Sequence, residues 1–275
     1  MCLGMKTNSF LRGCIACFLL LSTLPGCGLL SDTDSLLPDV ASSTAPSPTV
    51  GEWVSVGKGA ERAEFSFATS SGAIIVLYRF QPEHYRWRFL QALPPKNLLG
   101  WKGSTTGSVL MVNGVFFHED ELPSGFLKIR GEQVGKRRFD EDKSGIVVLD
   151  PTPKILKTSL DDSRVVAAQE VAQSYPFLLM DGEPRVATDT GKIARRTFIG
   201  EDKDGRIYVG IVPFASISLH NLAQVLKKRP IAWQHVLNLD GGPSSGLISS
   251  FTRHSELIDS YVQVPNVISV ELKEE

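Results

Sequence analysis

The segment with the most obvious chemical potential is residues 237–246, LNLDGGPSSG. Gly242 to Gly246 fit the G-x-S-x-G pattern of serine hydrolases, which would make Ser244 a nucleophile. The same segment offers a different chemistry through Asp240. An acid at the end of an apolar run, followed by two glycines, lies where the backbone can close around a small ligand.

The serine hydrolase interpretation needs a helix after the nucleophile, and later in the chain an acid followed by a histidine. A short β-like run follows Ser244 instead, and the only later histidine, His254, precedes Asp259. Pro243 also stiffens a position that a strained turn would have to bend through. We therefore favour a role for Ser244 other than nucleophile, with an ordinary turn between two strands as the simplest alternative.

Short strands are the main elements that would position these residues. Helical spacing of apolar residues predicts only two helices, at residues 163–173 and 218–228, the second behind a Ser218 cap. A hairpin is predicted to pair 196–200 with 206–212 around Asp204 and Gly205. The fold class is therefore α+β with strands dominant. Other apolar or alternating runs predict strands at 64–68, 73–80, 85–93, 108–117, 145–149, 155–158 and 176–180.

Four stretches together resemble the phosphodiester glycosidase family. They are VNGVFF at 112–117 with PSG at 123–125, YPFLLMDG at 175–182, RRTFIG at 195–200 leading into DGRIYVG at 204–210, and LNLDGG at 237–242 with Ser244 and Ser245. The resemblance covers about residues 108–270 and implies a large mixed or antiparallel sheet flanked by a few helices. Val115 and Pro243 stand where the family commonly has glycine.

The resemblance implies hydrolysis of glycosyl-1-phosphodiesters. Such a site needs a carboxylate near an oxocarbenium-like anomeric carbon, a cation or amide cradle for phosphate, and neutral donors for hydroxyls. Asp240 is the predicted carboxylate, Arg196 the predicted phosphate ligand, and Asp181 a further catalytic acid. The predicted substrate-binding residues, with His118 also a candidate general acid, are Asn113, Gly114, His118, Asn238, Gly241, Gly242, Ser244 and Ser245.

Each of these residues also has a plain structural interpretation. Asp240 and Asp181 would then cap or occupy turns, Arg196 would be a surface arginine of a strand, and His118 a surface histidine of a loop. For the whole protein, the alternative to an enzyme is a binding protein of the cell envelope. It would hold a phosphoglycan or a peptidoglycan fragment without cleaving it.

No cofactor and no metal are expected. The sequence contains no Walker loop, no dinucleotide fingerprint and no H-E-x-x-H motif. Residues 202–205, DKDG, resemble the start of a calcium loop, but Pro213 stands where the closing glutamate is required. All four cysteines lie at or before residue 27, so the rest of the chain has no thiolate ligand and no disulfide.

The first 50 residues predict export and a membrane anchor. Lys6 and Arg12 flank the start of an apolar run too short to span a bilayer, which is typical of a signal peptide over residues 1–26. Residues 24–27, LPGC, resemble a bacterial lipobox, which implies a lipid on Cys27, with simple secretion as the alternative. Gly28 after the cysteine favours the outer over the inner membrane.

A Ser-, Thr- and Pro-rich tether is predicted over residues 27–50, and the folded domain over 51–275. The first 26 residues hold two of the 29 basic residues and none of the 30 acidic ones, so the remainder has a formal charge of −3. A nucleic-acid partner would want a basic excess, and none is expected. The expected partners are a carbohydrate phosphodiester and, through Cys27, the membrane.

Overall fold

The computed structural model describes residues 51–67, 73–135, 140, 142–157 and 162–274. The predicted signal peptide, the tether and Cys27 lie outside these described residues and stay predictions. Within the described ranges, no helix is both long enough and apolar enough to cross a membrane.

Strands dominate the described part of the chain, with three α-helices and two short 3-10 helices between them. In chain order the strands and α-helices are β1 (Val54–Gly57), β2 (Ala60–Phe67), β3 (Ala73–Phe80), β4 (Tyr85–Lys96), α1 (Leu98–Ser104), β5 (Ser108–Asn113), β6 (Leu127–Ile129), β7 (Glu132–Gln133), β8 (Gly145–Val148), β9 (Lys154–Lys157), α2 (Ser163–Ala167), β10 (Val171–Ser174), β11 (Phe177–Met180), β12 (Glu183–Pro184), β13 (Ala194–Asp202), β14 (Ile207–Ile217), α3 (Leu219–Lys227), β15 (Trp233–Asn238), β16 (Leu247–Phe251), β17 (His254–Ile258) and β18 (Val264–Leu272). The 3-10 helices are Pro82–His84 and Gly242–Ser244.

These strands form three sheets, and every strand pair within the described residues is antiparallel. The largest sheet has eight strands in the order β1-β2-β3-β14-β13-β15-β11-β12. Two five-stranded sheets have the orders β7-β6-β10-β8-β9 and β17-β16-β5-β18-β4. The α+β prediction holds in outline, but three antiparallel sheets replace the single large sheet that was expected.

The eight-stranded sheet buries both of its faces. On one face, Ile199 and Leu237 pack in a common cluster with Trp87 and Val147, which belong to the two smaller sheets. Alternate residues of the same strands face the other way, because successive side chains of a strand point to opposite faces. The central strands therefore read as continuous apolar runs, as β3 (AIIVLYRF) does.

Helix α3 covers the second face of the eight-stranded sheet. Leu222 and Leu226 of this helix pack in one cluster with Phe198 of β13. Ser218 caps the helix, because its side chain accepts a hydrogen bond from the Asn221 N–H. The predicted helix at 218–228 and the predicted hairpin, which is β13 with β14, are thus confirmed.

The other helix prediction was too long. Helix α2 ends at Ala167, and the chain turns into strand β10. The Asp150 carboxylate accepts hydrogen bonds from the Gln169 and Glu170 N–H groups, which holds the turn. Val171, counted as part of an apolar helical face, is buried instead in a sheet between β6 and β8. Apolar alternation over a few residues fits both periodicities, and the sheet partners decide.

Helix α1 was not predicted at all. Its sequence, LLGWKGS, contains two glycines, which disfavour a helix. Tertiary contacts at its start compensate: the Asn97 side chain accepts from the Gly100 N–H, and the Asp259 carboxylate accepts from the Leu99 N–H. Leu98 and Trp101 of the helix are buried.

Candidate active site

A pocket surrounds Asp240 where β13 begins and β15 ends, near the first residue of α3. The Leu239 N–H donates to the Thr197 carbonyl over 2.9 Å, and the Asp240 N–H donates to the Gly114 carbonyl over 3.2 Å. These two hydrogen bonds hold Leu239 and Asp240 between the eight-stranded sheet and the loop after β5. The pocket has a volume of about 380 Å³ and is lined by Phe116, Tyr175, Pro176, Thr190, Lys192, Ala194, Arg196, Leu219, Asn238, Asp240, Gly241, Gly242 and Pro243.

Larger cavities exist elsewhere, but they suit catalysis less. One of about 680 Å³ lies beside β4, and its acid, Glu271, is already ion-paired with Arg88. Another of about 510 Å³ contains no acidic residue. In a third, of about 410 Å³, the carboxylates of Asp150 and Glu170 already accept hydrogen bonds from backbone N–H groups. In the described ranges, no group of three or more His, Cys, Asp and Glu side chains could hold a metal ion.

Asp240 is the only acidic residue that lines its pocket in the described part of the chain. Burial raises the pKa of Asp240 to about 6, although hydrogen bonds from the Ser244 hydroxyl and the Gly241 N–H favour the ionised form. The Gly241 N–H donates to Oδ1 over 2.8 Å. Such a carboxyl is ionised at neutral pH yet more basic than an exposed aspartate, which suits a base or a nucleophile.

Arg196 brings a buried cation to the same pocket. Its side chain is 7% exposed, and burial lowers the pKa of the guanidinium. Nε donates to the Ile217 carbonyl and Nη2 to the Lys192 carbonyl, which fixes the side chain without neutralising it. No ion pair of the described residues involves Arg196, so its remaining N–H donors and its charge are available to an anion.

Asn238 and Gly242 supply neutral groups to the pocket. The Asn238 Nδ2 donates to the Tyr175 carbonyl over 3.0 Å, which sets the orientation of the amide. Its Oδ1 is buried and has no hydrogen-bond partner among the described residues, so it can accept from a ligand hydroxyl. Gly242 has a φ of 61°, a conformation that glycine adopts without strain, and this turn lets the backbone line the pocket.

Asn113, a predicted substrate-binding residue, lies behind the pocket and does not line it. It is 0% exposed. Its Nδ2 donates to the Asp240 carbonyl over 2.7 Å, and its Oδ1 accepts from the Thr197 hydroxyl and the Gly246 N–H. Both polar atoms of the amide are therefore occupied, and Asn113 positions the backbone of Asp240.

Gly114 and the two serines also lie behind the pocket wall. A Cβ on Gly114 would stand 2.0 Å from Oδ1 of Asn266, so only glycine fits there. Ser245 is 0% exposed and does not line the pocket. The Ser244 hydroxyl donates to Asp240, and strand β16 follows it where a nucleophile elbow would have a helix. In the structure, these residues support the Asp240 loop and do not line the pocket.

Asp181 and His118, two of the predicted site residues, do not line the Asp240 pocket. Asp181 follows β11 in an exposed turn with a φ of 55°, near the start of β15, and accepts from Nε2 of Gln234. Asp240 is six residues further along than Gln234, or roughly 20 Å at the rise of a strand. His118 is exposed and lines none of this pocket, since its N–H bonds the Leu122 carbonyl in a separate turn.

Lys192, Phe116 and Tyr175 are pocket residues that sequence reasoning missed. Lys192 is exposed and adds a second cation beside Arg196. The rings of Phe116 and Tyr175 are 4.8 Å apart and form an apolar wall. Both aromatic residues lie within the family-like stretches at 112–117 and 175–182, so a signal was present, whereas Lys192 lies in a polar loop that carries none.

Comparison with known proteins relates this chain to one family. The sequence model of the phosphodiester glycosidase family matches residues 106–271. No curated protein matches the chain. The catalytic domain of zebrafish N-acetylglucosamine-1-phosphodiester alpha-N-acetylglucosaminidase, auto-inhibited by its pro-peptide, is similar in fold, with a TM-score of 0.61 at 16% identity over 80% of this chain and 86% of that one.

A hypothetical protein from Synechocystis is also similar in fold, with a TM-score of 0.60 at 15% identity. The match covers 83% of this chain and 65% of that protein. At these identities the two structures support the fold alone, and the family match supplies the relationship. That family match extends from β5 to β18 and includes every strand that borders the Asp240 pocket. The chain therefore belongs to the phosphodiester glycosidase family.

Proposed function

We propose that the protein hydrolyses a glycosyl-1-phosphodiester. Water is added across the bond between the anomeric carbon and the phosphate oxygen, which yields a free sugar and a phosphomonoester. The observation that carries the proposal is an acid, Asp240, and a buried cation, Arg196, that line one pocket without being paired to each other in the described residues. An unpaired carboxylate suits the anomeric carbon, and an unpaired cation suits the phosphate.

A single acid in the pocket is consistent with this substrate. Glycosidases that expel a sugar alcohol need a second carboxyl group to protonate the leaving oxygen. Here the leaving group is a phosphomonoester, whose second pKa is about 6, so it departs as a stable anion without a proton from the protein. Asp240 acts as a nucleophile or activates water, while Arg196 and Lys192 stabilise the charge on the leaving phosphate.

A protein that binds the same class of ligand without cleaving it is the second candidate. It is motivated by Val115 and Pro243, which stand where the family commonly has glycine. Val115 is buried in the core and does not line the pocket. Pro243 lines the pocket and removes a backbone N–H donor, so it is the departure that would weaken catalysis.

Hydrolysis should be measured with the purified protein on a panel of α-linked sugar-1-phosphate diesters, with free sugar as the readout. We expect Asp240→Asn and Arg196→Ala each to lower kcat/KM by at least ~100-fold. Asp181→Asn is the matched control, because it removes an acid of the same family-like motifs that lies outside the pocket. It should retain the native rate.

Two outcomes would contradict the enzyme. If the native protein binds the panel but releases no sugar, it is a binding protein and Asp240 only contacts the ligand. If Asp181→Asn loses as much activity as Asp240→Asn, Asp240 is not the one catalytic carboxylate and the active site has been placed in the wrong pocket.

We also propose that the protein is exported and held at the bacterial envelope by a lipid on Cys27, which would place it near polysaccharide substrates. The support is the lipobox-like sequence at 24–27. Cells fed a labelled fatty acid should incorporate it into the native protein. A Cys27→Ser variant that keeps the label would overturn the anchor.

A further inference from the structure

A second groove lies along β4, the edge strand of a five-stranded sheet. It consists of two cavities, of about 680 and 410 Å³, and Arg88 and Arg130 line both of them. We call this surface the β4 groove. It shares no lining residue with the Asp240 pocket. Each of its cavities lies in the size range of small-molecule sites, well above what a single inorganic anion needs.

The β4 groove concentrates positive charge on a protein whose net charge is negative. The chain after residue 26 has a formal charge of −3, yet five basic and only three acidic residues line the groove. The acids already have partners: Glu271 accepts from Arg88, Glu170 from the Phe89 N–H, and Asp150 from the Glu170 N–H. An anion in the groove would therefore meet an excess of cations. The basic residues are Arg86, Arg88, Lys96, Arg130 and Lys273.

Several donors of the groove have no partner within the described part of the chain. No hydrogen bond or ion pair there involves the side chain of Lys96 or Arg130. Nε of Arg88 and Nε1 of Trp87 are buried, and neither has a hydrogen-bond partner among the described residues. Trp87 lines the smaller cavity and is 1% exposed. A buried donor without an acceptor is rare in native proteins, so these groups indicate a missing acceptor at the groove.

Arg130 occupies a backbone position that does not suit an arginine. With Gly131 it forms the two-residue loop of the β6–β7 hairpin, and the φ angles of the two residues are 52° and 84°. Such loops favour Asn, Asp and Gly, because other side chains crowd the backbone at positive φ. The Arg130 N–H donates to the Glu170 carboxylate over 3.2 Å, a bond that most other residues could also make. The arginine side chain therefore does nothing for its own turn, and strain of this kind is typical of a functional residue.

Uncharged polar groups complete the larger cavity. They are the hydroxyls of Ser104, Thr105 and Thr106 and the amide of Gln91. Hydroxyls and amides both donate and accept hydrogen bonds, as the hydroxyls of a sugar require, whereas arginine and lysine bind carboxylate or phosphate groups. Together they fit a saccharide that carries anionic groups. Two joined cavities provide room for more than one sugar unit.

We propose that the β4 groove binds an acidic oligosaccharide chain and that Arg130 holds one of its anionic groups. This site is separate from the Asp240 pocket and does not depend on the proposed hydrolysis. It would retain an acidic polysaccharide on the protein surface whether or not the protein cleaves it.

Titration calorimetry at low ionic strength tests the proposal with two probes of equal length, tetragalacturonate and the neutral maltotetraose. The native protein should bind tetragalacturonate at least about tenfold more tightly than maltotetraose. Arg130→Asn should weaken tetragalacturonate binding by about tenfold. The same substitution should raise Tm by about 2 °C, because asparagine adopts positive φ more readily than arginine does. A purely structural role of Arg130 would not combine weaker binding with higher stability.

Arg253→Asn is the matched control. Arg253 also lies in a two-residue hairpin loop, between β16 and β17, but its φ is not positive and it lies outside the β4 groove. The control removes the same charge from the same kind of turn. It should change neither the Kd for tetragalacturonate nor Tm.

Four outcomes would overturn the proposal. Equal affinity for the neutral and the acidic tetrasaccharide, or no binding of the acidic one, would show that the groove does not select anionic sugars. Unchanged binding in Arg130→Asn, or a fall in its Tm, would show that the arginine serves the hairpin. Inorganic phosphate that binds as tightly as tetragalacturonate would reduce the groove to a simple anion site. A thymidine tetranucleotide that binds more tightly than tetragalacturonate would assign the groove to nucleic acid.

Discussion

The carboxyl of Asp240 has the acidity of a group prepared for chemistry near neutral pH. Burial raises its pKa to about 6, against the pull of two hydrogen bonds. If Asp240 acts as a nucleophile or base, only its ionised form is active, so kcat/KM should rise as pH increases through about 6 and level off above it. A pH–rate profile on one diester substrate measures this directly.

The direction of that profile decides the role of Asp240. The phosphodiester keeps its single negative charge across the range, and Arg196 stays charged, so neither contributes a step near pH 6. A rate that falls as pH rises through this region would identify Asp240 as a proton donor instead. A substitution that places a cation beside Asp240 should lower the pKa of its carboxyl. The rise in kcat/KM should then occur at a lower pH.

Single residues differ in how well the sequence indicated them. Asp240 and Arg196 were found because their types match the required chemistry within family-like motifs. The sequence did not reveal that Asn113 faces the Asp240 backbone and not the ligand. That choice depends on Thr197 and Gly246, which both donate to Oδ1 of Asn113 and lie far from it in the chain.

At the scale of elements, most strands were predictable and several boundaries were not. Runs such as β3 and β14 are apolar over most of their length because both faces of the large sheet are buried. Residues 163–173 could satisfy either a helix or a helix followed by a strand. Pairing of β10 with β6 and β8 settles the matter through residues more than twenty positions away. Local pattern does not contain such information.

At the scale of the whole molecule, an ionic cluster joins the eight-stranded sheet to one of the five-stranded sheets. Glu256 of β17 accepts hydrogen bonds from the Tyr78 hydroxyl over 2.6 Å and from Nε and Nη2 of Arg62 over 3.0 and 2.8 Å. Arg62 and Tyr78 belong to the eight-stranded sheet, and β17 belongs to a five-stranded one. Burial alone would raise the pKa of Glu256, but the His254 ring, 3.5 Å away, and hydrogen bonds from Arg62 and Tyr78 lower it to about 2.

We expect Glu256→Gln to lower the free energy of unfolding by about 2–4 kcal/mol at neutral pH, because it leaves Arg62 buried without its main counter-ion. The folded pKa of Glu256 is depressed, so this stabilisation is fully present above the unfolded pKa of about 4.3 and is lost as pH falls toward about 2. Urea denaturation of both proteins at several pH values measures the difference.

Glu64→Gln is the control for this cluster. Glu64 also contacts Arg62, at 3.2 Å, but its side chain is 33% exposed, so its loss should cost no more than about 1 kcal/mol. Equal effects of the two substitutions, or a Glu256→Gln effect that does not change with pH, would show that the cluster does not hold the sheets together electrostatically.

The bond from Asn113 to the Asp240 carbonyl joins residues 127 positions apart in the chain, one at the end of β5 and the other just after β15, which belong to different sheets. Closing so long a loop is a costly step of folding, and contacts of this kind are gained only when large parts of the structure associate. Completed folding is therefore needed before the Asp240 pocket exists. If the proposed function holds, a chain trapped with its sheets apart has all the pocket residues and no activity, so turnover of substrate reports how much of a sample has reached the native state.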